Sequence, residues 1–221
     1  MSSRPDADSI TSQRLLAEEY FENETFTDLD LQGARLAGKE FYRCTFQNLH
    51  LQESRWTGSK LEACVFRGCD LTRANLMQTA LRDVRFESSK LMGIDWSAIS
   101  PNPELAFEEC NLRYSSFVGL SLRKTVFARC SALEANFIDS DLSDTEFSGT
   151  DLSGSNFRGC TLTRADFRGA VGVFFDPASH NRLKATRVPV ETAVLLAQSL
   201  GMVVAGYGDE TASRSERKKG R

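Results

Sequence analysis

A large apolar side chain recurs at every fifth position along most of this chain. The series runs Phe21, Phe26, Leu31, Leu36, Phe41, Phe46, Leu51, Trp56, Leu61, Phe66, Leu71, Leu76, Leu81, Phe86, Leu91 and Trp96. It then slips by one residue and resumes as Phe107, Leu112, Phe117, Leu122 and Phe127. After a lapse at Ala132 it continues through Phe137, Leu142, Phe147, Leu152, Phe157, Leu162 and Phe167. Two residues before most of these sits a small one, such as Ser54, Ser59, Cys64, Ala74, Thr125, Ser140 or Thr150; Lys39, Leu49, Ile94 and Leu120 are the exceptions. The other three positions of each five are mostly polar. A period of five fits neither a helix, at 3.6, nor a strand, at 2. It predicts a solenoid with a narrow filled core, built from one large and one small inward residue per five.

Residue identity returns every 20 positions. Phe26, Phe46, Phe66 and Phe86 match, as do Leu31, Leu51, Leu71 and Leu91, and later Phe107, Phe127, Phe147 and Phe167. Four fives per turn would stack like on like, at the ordinary strand spacing of about 4.8 Å. About seven coils at that spacing make a rod about 35 Å long.

This pattern resembles the pentapeptide-repeat family, whose consensus is A(D/N)LxX. The clearest matches are Ala74-Asn75-Leu76, Ala135-Asn136-Phe137, Thr150-Asp151-Leu152-Ser153-Gly154 and Ala165-Asp166-Phe167-Arg168-Gly169. The resemblance spans about residues 21 to 170. It implies an all-β fold, a right-handed quadrilateral β-helix, to which a short C-terminal helix is added below.

The organisation follows from where the pattern holds. Residues 1–20 form an N-terminal cap, in which Ile10, Leu15 and Leu16 help to cover the open end. Residues 21–96 are an N-terminal repeat stack, 97–106 a junction containing Pro101 and Pro103, and 107–170 a C-terminal stack. Residues 171–206 hold a C-terminal cap. A helix starts after Pro189 and presents Val190, Ala193, Val194, Leu196, Ala197 and Leu200 at helical spacing, followed by Met202 and Val203. So broad an apolar surface predicts a two-fold dimer through these eight residues. Residues 207–221 end SRSERKKGR and read as a disordered basic tail.

All six cysteines, at 44, 64, 69, 110, 130 and 160, occupy the small inward position and are expected as reduced packing residues. Cys44 and Cys64 lie one turn apart, as do Cys110 and Cys130, and each pair would stack at a separation that permits a disulfide. The two histidines, His50 and His180, are far apart, and no C-x-x-C spacing occurs, so no metal site and no cofactor are expected. No P-loop, G-x-S-x-G or Cys-His pair points to an enzyme. The N-terminus shows no signal peptide and the longest apolar run is too short for a membrane span, which predicts a cytoplasmic protein.

The C-terminal segment resembles a narrower group, the Qnr, MfpA, albicidin-resistance and microcin-immunity type of pentapeptide-repeat protein. The residues that carry this are Asn181-Arg182-Leu183-Lys184, Pro189, Glu191, Leu195-Leu196 and Leu200-Gly201-Met202-Val203-Val204, together with Gly93-Ile94-Asp95-Trp96. The resemblance implies a bacterial homodimer, joined through the C-terminal helix. It implies binding to DNA gyrase, through its A subunit, or to the equivalent part of topoisomerase IV, by imitation of DNA. The outcome would be resistance to quinolones or self-immunity to a peptide toxin. Enterobacterial Qnr proteins carry extra loops within the repeat, whereas this chain has only the 97–106 interruption, which departs from a quinolone-specific pattern and is compatible with the loopless members, including toxin self-immunity proteins. The rival expectation is a non-enzymatic scaffold for another protein.

Charge bears on that choice. The chain has 27 basic and 30 acidic residues, a net charge of −3, and residues 21–170 hold 17 basic against 21 acidic ones. Duplex DNA carries about one charge per 1.7 Å, so a rod this long would need roughly twenty charges to match it. Global charge does not imitate DNA, yet direct nucleic-acid binding is disfavoured too. A local patch does better. No basic residue lies between Arg129 and Arg158, and on outward positions there stand Glu134, Asp139, Asp141, Asp144, Glu146 and Asp151. Shifts of 20 place Lys124 and Arg164 beside Asp144, neutralising it, and Asp166 beside Glu146. The expected topoisomerase-contact patch is therefore Glu134, Asp139, Asp141, Glu146, Asp151 and Asp166.

Overall fold

The computed structural model describes residues 7–207. The side chain of Ile10 and the tail 208–221 lie outside what is described. Helix α1 (Ala7–Ala17) comes first. Ten short strands follow: β1 (Tyr20–Glu22), β2 (Thr25–Thr27), β3 (Glu40–Tyr42), β4 (Thr45–Gln47), β5 (Lys60–Glu62), β6 (Val65–Arg67), β7 (Ala80–Arg82), β8 (Val84–Glu87), β9 (Leu105–Glu108) and β10 (Val126–Ala128). Helix α2 (Val190–Ser199) closes the chain.

The chain winds as a four-sided solenoid in which every pairing is parallel. Strands β1, β3, β5 and β7 form the first face. Strands β2, β4, β6, β8, β9 and β10 form the second. The third face is a ladder of single bridges through Asp30, His50, Asp70, Lys90, Asn111, Ser131, Asp151 and Val171. The fourth face carries Arg35, Arg55 and Asn75, then Asp95, Ser116, Asn136 and Asn156. Register is 20 residues up to the interruption, as in Phe46 on Phe66, and 20 again from Phe107 on Phe127 as far as Asp151 on Val171.

The core is two facing stacks of rings. On the second face Phe26, Phe46, Phe66, Phe86, Phe107, Phe127, Phe147 and Phe167 lie nearly parallel, with successive centroids 4.4–5.4 Å apart. On the fourth face Trp96, Phe117, Phe137 and Phe157 also lie nearly parallel, 4.9–5.8 Å apart. The two stacks meet edge to face, as in Phe117 and Phe127 at 87°. Aromatic pairs in such geometries add about 0.5–1.5 kcal/mol beyond area burial.

The small inward residue has its own task. Ser59, Thr79, Thr145 and Thr150 each donate a hydroxyl to the carbonyl 23 residues earlier, at 2.6–3.0 Å. Cys64, Cys69, Cys110 and Cys160 make the same contact with their thiols. Each links one coil to the next inside the wall, which is why Ser, Thr and Cys exchange at this site.

The interruption at 97–106 is a bulge in one continuous stack. Strand β8 pairs with β9 at an offset of 21, Phe86 on Phe107, and Trp96 stacks on Phe117. Pro101 and Asn102 loop outward and buried Pro103 fills the core there. Coil pairing also runs past residue 170. Thr161 pairs with Arg182 and Asp166 with Arg187, while Val173 and Phe175 supply the buried side chains.

At the other end α1 caps the first coil. Leu15 is buried and Leu16 is half exposed. Arg14 spans Glu18 and Glu24 and lies over the Phe21 ring. Lys39, the charged exception among the small positions, is buried; its ammonium donates to Leu16 O at 3.1 Å and to Glu18 O. Burial pushes its pKa down, yet the carbonyls at the end of α1 give its protons partners.

Because coils share one ring stack, truncation at its middle opens a cavity that cannot collapse. Phe127→Ala is expected to cost about 3–5 kcal/mol in denaturant unfolding. An exposed substitution such as Ser148→Ala is expected to stay within about 0.5 kcal/mol.

Candidate functional site

Where the outward residue just before a large one is Asp or Asn, it has a local duty. Its side-chain oxygen accepts the backbone N–H two residues on. Asp141 does this to Ser143, Asp151 to Ser153 and Asp166 to Arg168, at 2.9–3.1 Å. Neutral Asn75, Asn111, Asn136 and Asn156 make the same turn. Asp and Asn are favoured there by turn chemistry, whatever their charge. Three of the six expected contact carboxylates are thus also turn-builders.

The six do not share a face. Asp141 is on the first face, Glu146 and Asp166 on the second, Asp151 on the third, Glu134 at the end of the third and Asp139 at the end of the fourth. Two of them are neutralised. Arg123 lies 3.2 Å from Asp141. Arg168 and Arg187 lie 2.6 and 3.4 Å from Asp166. The hydrogen bond from Arg168 is the largest cause holding Asp166 down to about 2. Burial works against ionisation of Asp141, but the Ser143 hydroxyl and amide together with Arg123 outweigh it and lower its pKa. Glu146 does stand in register with Asp166. Because Asp166 is paired twice, the negative potential at that place belongs to Glu146 alone.

Asp144 is held by Arg164 at 2.6 and 2.7 Å, as the 20-residue shift predicts, with Arg123 at 3.7 Å as its second cation.

Four carboxylates remain without an ion pair among the described residues: Glu134, Asp139, Glu146 and Asp151. They occupy two adjacent coils and run from the second face across the third to the edge of the fourth. Glu134 and Asp139 sit at left-handed corner positions, φ 54° and 58°. Each overlies a glycine of the next coil. A Cβ on Gly159 would stand 2.0 Å from Asp139 Oδ1, so only glycine leaves that carboxylate its place. The nearby arginines Arg113 and Arg158 pair with none of the four. Arg113 lies instead over Tyr114.

The C-terminal end is apolar and open. Helix α2 is anchored by Thr192, whose hydroxyl donates to Val173 O at 3.0 Å. Between it and the last coil runs a groove of about 340 Å³, lined among others by Phe175, Leu183, Val188, Leu196 and Leu200. Of the residues expected at a dimer interface, Ala193, Leu196, Ala197, Leu200 and Met202 line this groove. Val190 and Val203 project outward, Val203 at 85% exposure, and Val194 is half-buried. Val171, Phe174 and Leu183 extend the exposed apolar area. The sequence reading missed them because they fall after the regular pattern ends. No group of three metal-ligating side chains occurs among the described residues, and no helix there is long and apolar enough to cross a membrane.

A four-sided solenoid with a core filled by side chains, outward charge and one open apolar end defines the class as a stacked-repeat protein. The family model for the pentapeptide repeat region matches residues 39–101 and 104–171, and the chain belongs to that family. Its fold is the family's right-handed quadrilateral β-helix. Among solved structures, a trypsin-treated form of QnrB1, a plasmid-mediated fluoroquinolone resistance protein, has 23% sequence identity and a TM-score of 0.62. That match covers 85% of this chain and 92% of the other. HetL of Nostoc sp. strain PCC 7120, involved in heterocyst differentiation regulation, matches at 18% identity over 84% of this chain and 94% of its own, with a TM-score of 0.32. No curated protein matches the chain.

The paired carboxylate of Asp166 sets a pH dependence. Its folded pKa lies below the ordinary 3.8, so it contributes stability that is full above that value. That stability is lost as pH falls through about 2. Asp166→Asn, which keeps the turn-forming oxygen, should flatten the corresponding part of the stability–pH profile measured by urea unfolding.

Proposed function

We propose that the protein is a non-enzymatic DNA mimic that binds a bacterial type II topoisomerase, DNA gyrase or topoisomerase IV, and shields it from a quinolone or a gyrase-poisoning toxin. The observation that carries this reading is the belt of Glu134, Asp139, Glu146 and Asp151. These carboxylates lack ion partners and wrap three faces of a stiff rod within two coils. A DNA-binding saddle is positive and concave, so it would meet more than one face of a rod lying in it. The likeness of fold to a fluoroquinolone resistance protein supports the same direction. Asp141 and Asp166 drop out of the contact set, since their charge is already spent on arginines.

In this reading two copies join through the groove beside α2. Isologous contact would bury Leu200, Met202 and Val203 and place the two acidic belts in one assembly. Leu200→Asp with Val203→Asp is expected to give a monomer by light scattering, with the β-helix spectrum retained. A persistent dimer would place the interface elsewhere.

The decisive experiment titrates purified protein into gyrase supercoiling and drug-stabilised cleavage, with and without a quinolone or an albicidin-like poison. Fewer cleavage complexes with supercoiling retained would establish protection. Inhibited supercoiling alone would establish mimicry without protection. No effect on either would favour a scaffold for another protein. The triple variant Glu134→Lys, Glu146→Lys, Asp151→Asn should bind gyrase at least about tenfold more weakly, a loss of about 1.4 kcal/mol. Asp141→Asn should bind as the parent does.

A further inference from the structure

Two inward columns set one cysteine directly over another. Thr45 pairs with Val65, which puts Cys44 opposite Cys64; Asn111 pairs with Ser131, which puts Cys110 opposite Cys130. Backbone bonds lock both registers, from Val65 N to Cys44 O at 3.0 Å and from Ser131 N to Cys110 O at 2.9 Å. Parallel strands lie about 4.8 Å apart, inside the Cα separation of about 4.4–6.8 Å that a disulfide spans.

The two pairs differ in place. Their thiol contacts do not separate them, since Cys64 Sγ and Cys110 Sγ both reach back to a carbonyl of the preceding coil, Phe41 O at 3.4 Å and Phe86 O at 3.3 Å. The Cys44 column ends one coil further out, at Glu24, whose carboxylate is held at 2.7 Å by Arg14 of α1. Cys110 and Cys130 lie in the middle of the rod. In a stacked repeat the terminal unit opens far more often than interior ones, since it has a neighbour on one side only.

We propose that Cys44 and Cys64 form a reversible oxidation site, closed by hydrogen peroxide to a disulfide that staples the coil of Phe41 to the coil of Leu61. The Cys44 thiolate attacks a peroxide oxygen and becomes a sulfenic acid. Cys64 sulfur then attacks that sulfur, and water leaves. Overall two thiols lose two protons and two electrons, one S–S bond forms, and one peroxide becomes two waters.

Thiol acidity agrees with the geometry. The hydrogen bond from Cys64 pulls the Cys44 thiol down to about 7 against the effect of burial, and the same bond pushes Cys64 up. Burial pushes the solitary Cys69 and Cys160 up to about 11. The same coupling lowers Cys130 and raises Cys110, so the two stacked pairs share one acidity pattern, and end opening is what separates them.

The test uses the full chain. Native protein is exposed to peroxide, free thiols are alkylated, and tryptic peptides are mapped without reduction. Cleavage falls after Arg43, Arg55, Lys60 and Arg67, so the expected product is peptide 44–55 joined to peptide 61–67. Dithiothreitol should release it. Peptides 91–113 and 130–158 should be linked to each other at least about tenfold more slowly, because their coils do not open at an end. The oxidised protein should melt at a higher temperature than the reduced one. Cys64→Ser should abolish both the cross-link and that shift, with the β-helix spectrum retained, since Ser59 fills the equivalent place in another column. A Cys44 that stays alkylated, or that ends as sulfinic acid with no linked peptide, overturns the proposal. So does equal linkage of 110 to 130, which would remove the role of end opening.

Discussion

Coil-to-coil register is the constraint on which the rest of this molecule depends. Almost every outward backbone donor goes to a residue about 20 away, and the inward hydroxyls and thiols repeat that offset with their own bonds. A parallel ladder of this kind fixes side-chain direction absolutely, since a slip of one residue would turn the ring stack to solvent. The one slip in the sequence is therefore absorbed at a corner. Pro101 and Asn102 bulge out, Phe107 returns to the column of Phe86, and the stack is not broken. The cost of many left-handed corners in non-glycine residues, roughly 1–2 kcal/mol each, is offset by this repetition, because each corner is held by the coils on both sides.

Periodic demands of this kind are what a sequence displays openly. Phe, Leu and Trp at each fifth place, and Ser, Thr, Cys or Ala two before, state the core directly. What escaped was aperiodic. Among the described side chains of helix α1 only Leu15 is firmly buried, and Arg14 and Lys39 fasten the helix through contacts that no repeat signals. Residues 171–187 go on pairing after the pattern ends, because ladder bonds need backbone and only Val173 and Phe175 are left to fill the core. Trp96 shows a smaller lapse. Trp56 gives its indole N–H to Ser54 two residues before, whereas Trp96 has Ile94 there and its buried N–H has no partner.

The candidate site was half legible for a related reason. A shift of 20 finds neighbours straight across the ladder, and it correctly matched Arg164 with Asp144 and Glu146 with Asp166. Arginine reaches further than that. Arg123 meets Asp141 at 18 residues and Arg168 meets Asp166 at two, while Arg187 stands straight across from Asp166 but at an offset of 21. These contacts give two of the six expected acids a cation of their own. They also separate two reasons for an aspartate at an outward position, since turn formation can be met equally by asparagine and leaves charge as a free variable.

That freedom gives the surface its meaning. Stacked charges on neighbouring coils repel unless they alternate, and like pairs directly opposite are destabilising. Along most of the rod they do alternate, as in Glu40 with Lys60, Asp70 with Lys90 and Arg67 with Glu87. A rod selected only for its own stability would continue so. It departs in register at Arg35 over Arg55 on the fourth face and at Glu87 over Glu108 and Glu146 over Asp166 on the second, and it leaves Glu134, Asp139, Glu146 and Asp151 without ion partners around the third. None of these departures helps the coils to stack. Charge that the fold does not use is available to a partner, and the unmatched acids lie in the half of the rod that also ends in an uncovered apolar groove.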